Sequence, residues 1–127
     1  MLSFDAITEA VSVSVRPVYL DEKSDALARR FVFAYFIRIE NRGADEVQLL
    51  RRRWLITDAD GQTEEIEGDG VVGRQPVIPP GGAHTYHSYC VLRTMAGYME
   101  GSYLMERANG SRFRAAIPRF ALRARAN

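Results

Sequence analysis

Glycines at 68, 70 and 73 form Gly68-Asp69-Gly70-Val71-Val72-Gly73, a GxGxxG spacing. Such spacing can turn successive backbone N–H groups toward a phosphate. In a dinucleotide-binding fold it follows a buried strand, opens a helix and is answered by an acid about 20 residues later. Here the preceding Gln62-Thr63-Glu64-Glu65-Ile66 is polar, Pro76, Pro79 and Pro80 forbid a helix, and Ser88 to Arg93 holds no carboxylate. The dinucleotide reading fails on each count. A glycine-rich turn between strands can still hold an anion with no helix behind it. Arg74 would attract that anion, while Glu64, Glu65, Glu67 and Asp69 would repel it. Three glycines so close together also predict a positive φ at each.

His84, His87 and Cys90 are the other chemistry-bearing cluster. Spaced three apart they would gather on a helix, but strand alternation sends His87 to the face opposite His84 and Cys90, and a zinc site needs more converging ligands. Cys90 beside a histidine has the composition of a nucleophile pair, with no elbow or orienting third group in view. The expectation is therefore no catalytic residue, no metal and no cofactor. The acids Glu64, Glu65, Glu67 and Asp69 read as a solvated sheet edge that deters aggregation. In a strand, Arg52 faces away from Arg51 and Arg53, so the three arginines make no continuous patch for nucleic acid. Trp54 and Tyr35, set among alternating aliphatics, read as core.

The elements that must hold these residues are strands. Val11, Val13 and Val15 alternate with Ser12, Ser14 and Arg16, and Pro17 marks that strand as an edge. Residues 1–10 carry no turn chemistry and are expected to be a flexible lead-in to a domain over 11–124. Phe31, Phe33, Tyr35, Ile37 and Ile39 define a central strand whose first half is apolar on both faces. Val47 to Asp58 changes parity across Arg51-Arg52-Arg53, which predicts a β-bulge. Asp58-Ala59-Asp60-Gly61 and Asn109-Gly110 are hairpin turns. A polar edge strand over 62–67, a rigid Pro76–Gly82 connection and strands at 84–92, 97–107 and 111–117 follow, with Pro118 shifting the parity before Phe120 and Leu122. Tyr86, just after the Pro-Gly corner, suggests a tyrosine corner. Short strands with regular turns and no helical period predict an all-β sandwich.

A chain of 127 residues, 46% hydrophobic, can bury one real core. Net charge is +1, which gives no reason to expect nucleic acid or a membrane surface as partner. Lys23 is the only lysine among 17 basic residues, so positive charge is presented as arginine forks suited to recognition surfaces. One cysteine, Cys90, excludes an intrachain disulfide, and Asp5 and Glu9 in the first residues argue against a secretory signal, so a cytoplasmic location is expected.

Arg30-Phe31-Val32-Phe33-Ala34-Tyr35, Val47-Gln48-Leu49-Leu50, Arg53-Trp54-Leu55-Ile56-Thr57-Asp58 and Gly68 through Pro76 together resemble the ApaG family, over about Val11 to Leu122. The resemblance implies an all-β, immunoglobulin-like (fibronectin type III-like) β-sandwich in a single domain. It implies links to diadenosine tetraphosphate metabolism and to cobalt and magnesium tolerance, with no established reaction. It also implies protein recognition, since the same domain occurs in eukaryotic F-box proteins. In the family the glycine loop has been read as a pyrophosphate-binding motif, here Gly68, Gly70 and Gly73. Asp69 and Arg74 stand where the family pattern is expected to carry Glu. The expectation is a non-enzymatic binding module for an unidentified protein partner, its binding loop Gly68, Asp69, Gly70, Gly73 and Arg74. The alternative is a pyrophosphate or (di)nucleotide binder, and homodimer formation through sheet edges is a further expectation.

Overall fold

The computed structural model describes residues 2–125, which form strands and turns with a single 3-10 turn at Asp21–Lys23. Strands β1 (Phe4–Thr8), β2 (Val11–Tyr19), β3 (Phe31–Asn41) and β7 (Ala83–Leu92) make one antiparallel sheet in the order β1-β2-β3-β7. The facing sheet runs β5 (Thr63–Asp69), β4 (Val47–Asp58), β8 (Ala96–Arg107), β9 (Arg112–Arg123), with the short β6 (Val77–Ile78) paired to β4. This is the expected all-β sandwich. No helix among the described residues is long and apolar enough to cross a membrane.

Period-2 alternation places the core. Phe33, Tyr35, Ile37 and Ile39 of β3 turn inward beside Val11, Val13 and Val15 of β2, and meet Trp54, Tyr103, Met105, Phe120 and Leu122 of the other sheet, all buried. The Trp54 ring packs edge-on against Tyr35 at 5.3 Å and Phe120 at 5.9 Å between centroids. The parity change in β4 is a bulge: its register with β8 slips between Leu49 and Arg51. A second slip places Pro118 and Arg119 opposite Glu100, so Phe120 returns to the core. Both hairpin turns form, with Gly61 at φ 83° and Gly110 at φ 87°.

The N-terminal expectation is corrected. Residues 4–8 are not a lead-in but β1, paired to β2 from Phe4↔Val15 to Thr8↔Val11. The sandwich therefore begins at β1, before residue 11. The turn that makes this possible, Glu9-Ala10, has positive φ at both residues (45° and 69°) without a glycine. Tertiary bonds hold it: the Arg107 guanidinium meets Glu9 at 2.6 Å, and the Arg42 N–H donates to the Ala10 carbonyl at 2.8 Å. Consequently β2 is flanked on both sides along Val11–Val15, and Pro17 lies just beyond the last β1 pair, where its missing N–H costs no ladder bond.

One flank of the sandwich is stitched shut. Thr8 Oγ1 accepts from the Ala116 N–H at 3.0 Å, and the Phe4 and Phe120 rings lie 6.3 Å apart. On the opposite flank β7 and β5 are both sheet edges.

Candidate functional site

The glycine-rich segment sits on that open flank. β5 ends at Asp69, Gly70 turns at φ 62°, and Val71 to Arg74 close a miniature hairpin through two bonds, Val71 N–H to the Arg74 carbonyl at 2.7 Å and Arg74 N–H to the Val71 carbonyl at 3.0 Å. Its two tip residues, Val72 and Gly73, have φ of 47° and 77°, which is a type I′ turn. Glycine accepts that region freely; a β-branched valine does so at a cost of about 1–2 kcal/mol. Val72 is also 65% exposed, while its neighbour Val71 is buried in the core. The hairpin is thus nailed down by one valine and displays the other.

Gly68 departs from expectation. It lies within β5 and has no positive φ. Its lack of a side chain serves Arg52, since a Cβ there would lie 2.9–3.0 Å from the Arg52 guanidinium. Arg52 shares the inward parity of Trp54, and its Nη1 donates to the carbonyls of Asp69 at 3.0 Å and Gly70 at 2.9 Å. The bulged Leu50 supplies a second tie, its carbonyl accepting from the Gly70 N–H at 2.8 Å and from Gln75 Nε2 at 2.9 Å. Gly70 is required twice over: besides its φ, a Cβ would stand 2.1 Å from the Arg74 carbonyl oxygen.

Arg51 and Arg53 point outward, away from Arg52, and pair across to β5. Arg51 reaches Asp69 at 2.5 Å and Arg53 reaches Glu65 at 2.8 Å and Glu67 at 3.4 Å. These exposed pairs are worth little individually, about 0–1 kcal/mol. Their effect here is local neutralisation of the acids that flank the hairpin. Arg74 is exposed and enters no ion pair among the described residues.

The backbone donors of the segment are largely committed. The N–H groups of Gly70, Val71 and Arg74 are already bonded to Leu50, Arg74 and Val71 respectively. An anion cradle relies on several converging free N–H groups, and these three would have to break internal bonds to join one.

His84, His87 and Cys90 do not converge. His84 and Cys90 take the inward parity of β7 opposite Ile39 and Phe33, while His87 lies on the outer face between the rings of Phe36 (5.5 Å) and Tyr89 (5.8 Å). Burial, reinforced by Glu64, pushes the Cys90 thiol up to about 12, so it stays protonated and unreactive at neutral pH. Burial and then the charge of Arg74 hold His84 below its ordinary value. Among the described residues no group of three or more His, Cys, Asp or Glu is placed to hold a metal. Tyr86 forms no tyrosine corner: its hydroxyl meets that of Tyr103 across the sandwich at 2.5 Å instead of a nearby backbone group.

Between the hairpin and β7 lies a groove of about 430 Å³, lined by Val71, Val72 and Arg74 on one wall and His84 through Tyr89 on the other. Sequence reasoning found Arg74 and the glycines but missed Val71 as the anchor, Arg52 as the clamp and β7 as the opposite wall. The shared parity of Arg52 with Trp54 was a readable signal for the clamp.

Two antiparallel sheets in the orders β2-β3-β7 and β5-β4-β8-β9, with β1 and β6 added, define a sandwich of the immunoglobulin and fibronectin type III kind, carrying a clamped surface hairpin. The ApaG domain family matches residues 21–107, and the chain belongs to that family. Protein ApaG of Maricaulis maris is 52% identical over 112 residues, covering 88% of this chain and 86% of that protein. Protein ApaG of Pseudomonas paraeruginosa is 54% identical over 112 residues, covering 88% and 89%. The crystal structure of the putative ApaA protein from Bordetella pertussis is similar with a TM-score of 0.87 at 42% identity, covering 89% of this chain and 92% of that one.

Proposed function

We propose that this chain is a non-enzymatic binding module that recognises another protein through the Gly70–Arg74 hairpin and the surface beside it. One observation carries the reading: the hairpin is anchored through Val71 and Arg52, yet spends backbone strain to hold Val72 in solvent. A strained, exposed valine does nothing for the fold, and such outliers persist where function over-determines them. The module acts in the cytoplasm, a reading supported by its single buried, unbridged cysteine. A bearing on cobalt and magnesium tolerance would then pass through the partner.

A second reading, pyrophosphate or a nucleotide at the hairpin, is favoured by the exposed Arg74 and opposed by the committed N–H groups. Calorimetric titration of pyrophosphate and diadenosine tetraphosphate separates the two. Our reading expects no saturable heat, together with partner capture that Val72→Asp abolishes while the fold stays intact. Saturable binding that disappears in Arg74→Glu would replace it with the anion reading.

A further inference from the structure

The four sheet edges are not equally protected. β1 is five residues long and lies against β9 on the stitched flank. β9 carries Arg112, Arg114, Pro118, Arg119 and Arg123, and β5 carries Glu64, Glu65, Glu67 and Asp69. Short length, charge and proline are the devices that stop edges from pairing. β7 has none of them: Ala83-His84-Thr85-Tyr86-His87-Ser88-Tyr89-Cys90-Val91-Leu92 is ten residues long, without an acid, an arginine, a lysine or a proline.

The groove runs along this same edge. Its lining takes six consecutive β7 residues, His84 through Tyr89. Successive side chains of a strand point to opposite faces, so a space that touches all six follows the backbone, where among the described residues β7 has no neighbour beyond β3. The unpaired N–H and C=O groups of that edge are a template for another strand. Across the groove stand Val72, 65% exposed, and Arg74, while Tyr89, 56% exposed, supplies the apolar counterpart on β7. Among the described residues no carboxylate lines the groove.

We propose that the β7 edge, walled by the Gly70–Arg74 hairpin, docks an extended segment of another protein as an added strand, with an acidic side chain of that segment on Arg74 and an apolar one between Val72 and Tyr89. This rests on the binding-module reading and names the partner's form. Charge decides against a second copy of this chain as occupant: its β7 would bring no acid to Arg74, and Glu65, Glu67 and Asp69 of its acidic β5 edge are already held by Arg51 and Arg53. Main-chain pairing gives such a site its affinity and the flanking side chains its selectivity.

The test uses the full chain and a fluorescein-labelled octapeptide of alternating Val and Thr with one central Asp. The expected result is saturable anisotropy, slowed deuterium exchange at alternate amides of Ala83–Leu92, and loss of binding when alternate peptide nitrogens are methylated. Arg74→Glu, or Lys in place of the peptide Asp, should weaken binding about tenfold or more. Arg74 is exposed and enters no ion pair among the described residues, so its variant is expected to fold normally. No saturation at about 1 mM peptide, or binding that leaves β7 exchange unchanged, overturns the proposal. So does sedimentation showing a dimer that protects those same amides. A partner protein that binds through Val72 while β7 exchanges freely would leave the binding module standing and remove the edge site alone.

Discussion

Gly70→Ala is the substitution for which the structure gives the sharpest expectation. The new Cβ would stand 2.1 Å from the Arg74 carbonyl oxygen and 2.8 Å from its carbon, both backbone atoms that no rotamer change can move. Relief requires opening the Val71–Arg74 turn, with loss of the bonds at 2.7 and 3.0 Å that close it. At about 1 kcal/mol net for each bond, about 1 kcal/mol for alanine at positive φ and part of the roughly 1.5–3 kcal/mol that burying Val71 contributes, the total is about 4 kcal/mol. For a chain of this length that lowers Tm by roughly 10–20 °C. Gly73→Ala is the internal control. Its φ is 77° but its Cβ would meet nothing within 4 Å, so only the conformational cost of about 1 kcal/mol applies. Urea unfolding followed by circular dichroism measures both. If Gly70→Ala stays within about 1 kcal/mol of wild type, or if Gly73→Ala loses as much, the picture of a hairpin locked at Gly70 is wrong.

Trp54→Ala should cost about 3–5 kcal/mol, because it empties the space between the Tyr35 and Phe120 rings; near-native unfolding would contradict its core role. Arg52→Lys should destabilise by about 1–2 kcal/mol and speed amide exchange in the hairpin, since lysine lacks the planar guanidinium that lies against Gly68 and sets Nη1 on both carbonyls; unchanged exchange at Gly70 would remove Arg52 as the clamp. Stability should fall as pH rises above 9, where the unfolded Cys90 thiol ionises while the folded one keeps its proton up to about 12. Burial raises Tyr35, Tyr86 and Tyr103 in the same direction, so the unfolded state binds fewer protons throughout that window. Denaturation midpoints flat from pH 8 to about 11 would refute this, as would rapid labelling of native Cys90 by a thiol reagent at pH 8.

Alternation determined β2, β3 and β4, and with them the inward facing of Phe33, Tyr35 and Trp54, because a period of two leaves each residue only one face to choose. The parity break across Arg51-Arg52-Arg53 was enough to announce the β4 bulge, and the glycines at 61 and 110 enough to mark their turns. Periodicity says nothing about what lies beside a strand or which distant group ties down a turn. Glu9-Ala10 has no turn chemistry of its own and bends only because Arg107 and Arg42 hold it, which is why β1 was invisible. Gly68 looked like its neighbours Gly70 and Gly73, yet its smallness answers to Arg52 on another strand and not to its own φ. Val71 and Val72 are the same residue type at adjacent positions. Only the tertiary structure buries one and leaves the other in solvent, because the hairpin that separates them is closed by local bonds but aimed by contacts with β4.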